Sequence, residues 1–216
     1  MAVSIFFIAV LSYALGLLDT CGLICRYVFR EEVRELRRVD YAVLYRRHKW
    51  PGLGYALAAD VLRAIITVLI GGMLLKGAGF PSIGKLLAMF FALLGQAVPL
   101  TDRMISKQEL VFPAALLLFV DWRLFLICVV LGLVILALTG NRALMAAVAA
   151  VAMPVFTAIF GGWWLKIALA AACALAILHC YWRELSLSGL TDKLPKPRGA
   201  KAPKEAKPEE EKDKEG

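Results

Sequence analysis

From Leu124 to Thr139 the chain reads LFLICVVLGLVILALT, without a single charge, and runs of similar character recur along its length. A bilayer's hydrocarbon core is about 30 Å thick and takes roughly 20 helical residues to cross. Backbone polar groups in that layer find no water, so a long apolar run must satisfy them internally, as a helix does. The expected fold is therefore an all-α integral membrane protein. Apolar length and helix breakers place segments near 3–25, 52–75, 82–100, 111–120, 124–139, 143–160 and 163–181. At a 1.5 Å rise per residue, VFPAALLLFV (Val111 to Val120) has only about half the length needed. It is either a half-helix packed inside the bundle or the start of one long helix ending at Thr139. A turn at Asp121-Trp122-Arg123 is preferred, giving about seven transmembrane segments, one of them short.

Charge then sets orientation. The chain carries a formal +8, but its cations sit in a few short connections and a tail, the pattern of membrane topology rather than of nucleic-acid binding. Arg26, Arg30, Arg34, Arg37, Arg38, Arg46, Arg47 and Lys49 lie between the first two segments. With seven segments, Arg103, Lys107, Arg142 and the tail fall on that same side, which predicts an outside N-terminus and a cytoplasmic C-terminus. Lys76, Lys85 and Lys166 oppose this weakly. The first apolar run has no basic residue before it and no small-residue cleavage pattern, so it is expected to remain as a span. Residues 1–187 form the expected membrane domain. Residues 188–216, rich in Lys, Pro, Ala and Glu, have too little apolar surface to offset ordering entropy and read as a disordered, charged cytoplasmic tail.

Four features are candidates for chemistry. Asp60 and Arg63, three apart in YALAADVLRAII, share one helix face inside a span, where charges are costly and often functional; a structural ion pair is the plain alternative. His179, near the end of the last span in ILHCYWREL, is a candidate general base, or simply a polar end-group. In RYVFREEVRELRRVDYAVLYRRHKW, residues Phe29, Val33, Leu36, Val39 and Val43 recur at helical spacing, which predicts an interfacial amphipathic helix over 28–48. Its Arg37, Arg38, Arg46, Arg47 and Lys49 would bind anionic lipid or a phosphorylated substrate, or merely set topology. Finally, LLGQAVPLTDRMISKQEL breaks at Pro99 and brings Gly95, Gln96, Asp102, Arg103 and Lys107 to one membrane edge. The five cysteines, Cys21, Cys25, Cys128, Cys173 and Cys180, show no CxxC spacing and read as small core residues. No metal site or cofactor is expected.

The order of these features resembles the bacterial acyl-phosphate-dependent glycerol-3-phosphate acyltransferases, small seven-helix enzymes of the cytoplasmic membrane. The resemblance covers roughly residues 8 to 185. YALGLLDTCGLICR is similar to the family's first helix, and ADVLRA to the acidic and basic pair of its second. IGKLLAMFFALLGQAVP resembles the helix ending in Leu-Gly-His-x-x-Pro, LTGNRAL a glycine-containing turn, and His179 stands where the family places its C-terminal histidine. The resemblance implies transfer of an acyl group from acyl phosphate to glycerol 3-phosphate, giving lysophosphatidate. Such a site must position two anions, stabilise an oxyanion and accept a hydroxyl proton. By resemblance, His179 would be catalytic, with Arg46, Arg47, Lys49, Gln96, Arg103 and Lys107 binding substrate.

The departures fall where the family uses glycine-rich loops to cradle phosphate through backbone N–H groups. The family's Ser-Gly-Asn-x-Gly-x-Thr-Asn loop corresponds here to RRVDYAVLYRR, with no glycine between Gly22 and Gly52; Arg46 alone matches a family arginine. The second motif has Gln96 for histidine, and MISKQEL replaces a Lys-Gly-Gly-Lys-Gly run, leaving Lys107 as an approximate match. Trp182 stands where the third motif has asparagine. The expectation is a divergent member, impaired in acyl transfer, that binds lipid or a protein partner through its basic face. An active acyltransferase with a rebuilt site and a small-solute transporter are the alternatives.

Overall fold

The structure, a computed structural model, describes residues 2–30, 41–98, 110–160 and 163–191. These form eight helices: α1 (Ala2–Leu17), α2 (Thr20–Tyr27), α3 (Tyr41–Lys76), α4 (Pro81–Ala97), α5 (Val111–Val120), α6 (Trp122–Thr139), α7 (Arg142–Ile159) and α8 (Trp164–Thr191). Helices α3, α6, α7 and α8 are each long and apolar enough to cross a bilayer, and α1 with α2 makes a fifth span if that pair, bent by 59°, is taken as one. Helices α4 and α5, at 17 and 10 residues, are apolar but shorter. The outward surface suits a bilayer: Val130, Leu133, Val134 and Leu138 of α6 are exposed, as are Val151, Val155 and Ile159 of α7.

Three boundaries differ from the sequence reading. The expected single span 3–25 is two helices. Asp19 adopts an extended conformation, caps α2 by accepting the Gly22 N–H, and turns the chain. The second span begins earlier than residue 52, because Tyr41–Trp50 is also helical and joins the span through a kink where Lys49 has φ 55. At the other end α8 runs to Thr191, past the end of the expected last span at 181. The turn at Asp121 is present as expected: α5 ends there, and the Asp121 carboxylate accepts the Arg123 N–H to start α6.

Helix α4 is the centre of the bundle, packing against α1, α3, α5 and α8. Small residues let its neighbours approach closely, as is common where lipid offers no hydrophobic drive to helix association. A Cβ on Gly71 of α3 would collide with the Gly84 carbonyl of α4, and one on Gly16 of α1 with the Ala92 carbonyl. The main core draws Val68, Met89, Leu93, Phe112, Leu116 and Met153 together with residues of α6 and α8. The five cysteines form no disulfide, and four of them are buried.

Candidate functional site at the Asp19 edge

The break between α1 and α2 is the origin of the site's geometry. Leu18 would ordinarily accept from the Gly22 N–H four residues on, but Asp19 takes that donor. The Leu18 carbonyl is instead capped by Arg63 Nη1 of α3. Arg63 lies 3.4 Å from Asp60 Oδ1, and its guanidinium carbon sits 3.6 Å over the centre of the Phe112 ring of α5. Asp60 is itself fully engaged. Thr20 Oγ1 donates to Oδ1 at 2.8 Å, and the Tyr41 hydroxyl donates to Oδ2. Both charges are buried, Asp60 completely and Arg63 to within 6%. A cation at the C-terminal end of α1 also meets the negative end of that helix's dipole. The cluster thus ties α1, α2, α3 and α5 at one point.

Around this junction lie the other expected residues. Arg46, Arg47 and Lys49 are exposed on the leading part of α3, flanked in sequence by Tyr45 and Trp50, whose rings meet edge to face at 5.5 Å. Phe29 stacks flat on His48 at 3.6 Å and fixes the end of α2 against this segment. Gln96 is half-buried near the end of α4, where the Tyr13 hydroxyl donates to the Val98 carbonyl at 2.7 Å. His179 is exposed on α8. Its neighbours Cys180 and Tyr181 pack with Leu110, Ala143 and Ala146, so the start of α5, the start of α7 and the His179 turn of α8 share an edge. Asn141 opens α7 there by accepting the Ala143 and Leu144 N–H groups.

Arg103, Lys107, Pro99 and Asp102 lie outside the described residues, as do Arg34, Arg37, Arg38 and most of the apolar stripe expected over 28–48. The charged tail from residue 192 onward is outside them as well. Among the described residues, no three His, Cys, Asp or Glu side chains converge as a metal site would require. Sequence reasoning found Asp60 and Arg63 but missed Thr20, Tyr41 and Phe112, which complete their surroundings.

Chemically, the buried junction is closely paired: each Asp60 carboxylate oxygen has a hydroxyl donor, and the Arg63 guanidinium is held by a carbonyl and a carboxylate at its two Nη atoms and by a ring under its face. Its open neighbour is the exposed cationic surface of Arg46, Arg47 and Lys49, which suits phosphate-bearing partners.

Solved structures share this helical arrangement. Two crystal structures of PlsY (YgiH), an integral membrane glycerol 3-phosphate acyltransferase, match with a TM-score of 0.61 over 86% of this chain and 93% of theirs. One is its glycerol 3-phosphate form, at 16% identity, and the other its lysophosphatidic acid form, at 17%. No curated protein matches by sequence. The family model described as glycerol-3-phosphate acyltransferase matches residues 6–186, nearly the whole membrane-embedded part, and the chain accordingly belongs to the glycerol-3-phosphate acyltransferase family.

Proposed function

We propose that this chain serves phospholipid metabolism in the bacterial cytoplasmic membrane as a family member impaired in acyl transfer, acting by holding anionic lipid or a protein partner. The reading places its N-terminus outside and its cationic edge and tail, 188–216, in the cytoplasm. The observation that carries it is the surface of Arg46, Arg47 and Lys49, exposed beside Tyr45 and Trp50. Amphipathic rings at headgroup level with cations beside them favour an anionic membrane surface. The sequence supports impairment: without the glycine loops, phosphate would be gripped by long side chains, which are less preorganised than a backbone nest. Losing even one oxyanion donor can slow acyl transfer on the order of 100-fold or more. The burial of Asp60 and Arg63 and their pairing with each other speak against a solute path through them.

A second reading is an active acyltransferase in which the glycerol 3-phosphate hydroxyl attacks the acyl carbon of acyl phosphate, giving lysophosphatidate and releasing inorganic phosphate. It is favoured by exposed His179 lying at the same edge as Leu110, the residue that ends the segment carrying Arg103 and Lys107. His179 would accept the proton of the attacking hydroxyl, while Arg46, Arg47, Lys49, Gln96, Arg103 and Lys107 would hold the two anions.

The deciding experiment gives purified full-length protein acyl phosphate and glycerol 3-phosphate, beside a motif-intact family enzyme, and measures lysophosphatidate. No product with the control active supports the proposal. Product that disappears in His179→Ala overturns it in favour of the second reading. Product that persists in that variant overturns it too and removes His179 from the chemistry.

A further inference from the structure

The geometry points to a binding groove for one anionic phospholipid at the opposite end of α3, with its phosphate between Lys76 and Lys85. From Lys49 to Lys76 the helix rises about 40 Å, so this end lies across the bundle from the Arg46 surface. Ring-bearing residues mark a second membrane boundary here. Phe80 stacks on Trp163 at 6.0 Å, and Trp163 and Trp164 are exposed. Between α3, α4 and α5 opens a cavity of about 340 Å³, toward the lower end of the size range of small-molecule sites.

The walls are apolar, with Leu69, Met73 and Phe119 among them, and the two lysines are its charged members. Lys76 is the last residue of α3, and Lys85 stands one turn inside α4. Gly72 forms part of the floor. The Lys85 stem lies over it so closely that a Cβ on Gly72 would come 3.4 Å from Lys85 Cε. Neither ammonium has an acidic partner among the described residues. Asp121, two residues beyond Phe119, is engaged at the start of α6 with the Arg123 N–H.

Charge complementarity and length identify the occupant. Leu69 and Met73, 54% and 71% exposed, are surfaces a bilayer would cover, and from Leu69 to Lys76 the wall runs about 10 Å along the helix. That is the shape of an acyl chain entering from the bilayer and ending at a headgroup. A soluble phosphate would leave the apolar wall empty, and a zwitterionic lipid would bring a cation toward two ammonium groups. An anionic headgroup satisfies both walls and mouth. The groove is separate from the Arg46 surface and stands whether or not the function proposed above does.

The test is native mass spectrometry of the full-length protein in mild detergent, given phosphatidylglycerol or phosphatidylcholine. With Arg46, Arg47 and Lys49 already replaced by Gln, phosphatidylglycerol should be retained in preference by roughly tenfold or more, and adding Lys76→Gln with Lys85→Gln should abolish the preference. Lys76→Arg with Lys85→Arg should keep it, showing that the charge and not the fold was at issue. Gly72→Leu, which fills the floor, should lower retention of both lipids. Arg46→Gln, Arg47→Gln and Lys49→Gln together should leave the groove's lipid bound. Equal retention of the two lipids, unchanged preference in the glutamine variant, loss of all bound lipid in the arginine-face variant, or displacement by soluble glycerol 3-phosphate would each overturn the assignment.

Discussion

Apart from Lys76 at its end, helix α3 carries two sets of charges separated by about three helical turns, and they are treated in opposite ways. Asp60 and Arg63 are buried, and groups from α1, α2, α3 and α5 converge on them. Arg46, Arg47 and Lys49 lie on the surface. Removing ions from water costs several kcal/mol each, so a buried pair persists only where neighbours supply most of what water did. At the surface that requirement vanishes, because water itself solvates the same kinds of side chain. The contrast separates charges locked into this fold from charges left at the surface, where the ligand proposed above would meet them.

The sharpest way to break this contrast is Asp60→Ala. It leaves Arg63 buried without its counter-ion and should cost about 3–5 kcal/mol, seen as a large fall in thermal unfolding temperature in detergent. Asp60→Leu with Arg63→Met should cost less than the single change. A stable Asp60→Ala protein that lost function would move the pair to the functional side.

Next in size, Arg46→Gln, Arg47→Gln and Lys49→Gln together should weaken binding to anionic liposomes on the order of 100-fold, taking roughly fivefold per cation. The loss should shrink in high salt, while the unfolding temperature stays within error. Unchanged liposome affinity would make these cations topology signals alone. Thr20→Val removes one hydroxyl donor from a buried carboxylate and should cost about 1.5–3 kcal/mol in the same unfolding measurement, without altering liposome binding. Smallest of all, His179→Ala should leave unfolding unchanged within about 0.5 kcal/mol, as befits an exposed side chain. A larger destabilisation would show His179 to be part of the packing.

Most of the helices were legible because apolar length is a local property. The break at Asp121 was legible as the preferred of two readings, since Asp-Trp-Arg interrupts two apolar runs with charge and an N-capping residue. The break at Asp19 was not. Its signal, an N-capping Asp followed three residues on by glycine, sits inside a run apolar enough to read straight through. Most of Tyr41–Trp50 fell within the interfacial helix expected over 28–48, apart from the span expected from 52; the structure joins the two, since proline is tolerated in the first turn after a kink. Asp60 and Arg63 announced themselves as charges within a span. Thr20 and Tyr41, 40 and 19 residues away from Asp60, did not, because only the fold brings them there. Small residues such as Gly71 and Gly84 likewise gave no hint which glycines would face each other.

The corner at Leu18 bears on how such a protein is made. α1 is only 16 residues long and ends at a carbonyl whose local donor has been diverted to Asp19. The replacement donor is Arg63, 45 residues later in the chain. While the ribosome is still adding those residues, the nascent first span has an unfinished end, best kept at the water boundary or within the insertion machinery. Arrival of α3 completes it and at the same moment gives Arg63 a place to leave water. Entry of these two segments into the bilayer is therefore a coupled event, and their stable insertion should be scored as a pair rather than one hydrophobic segment at a time.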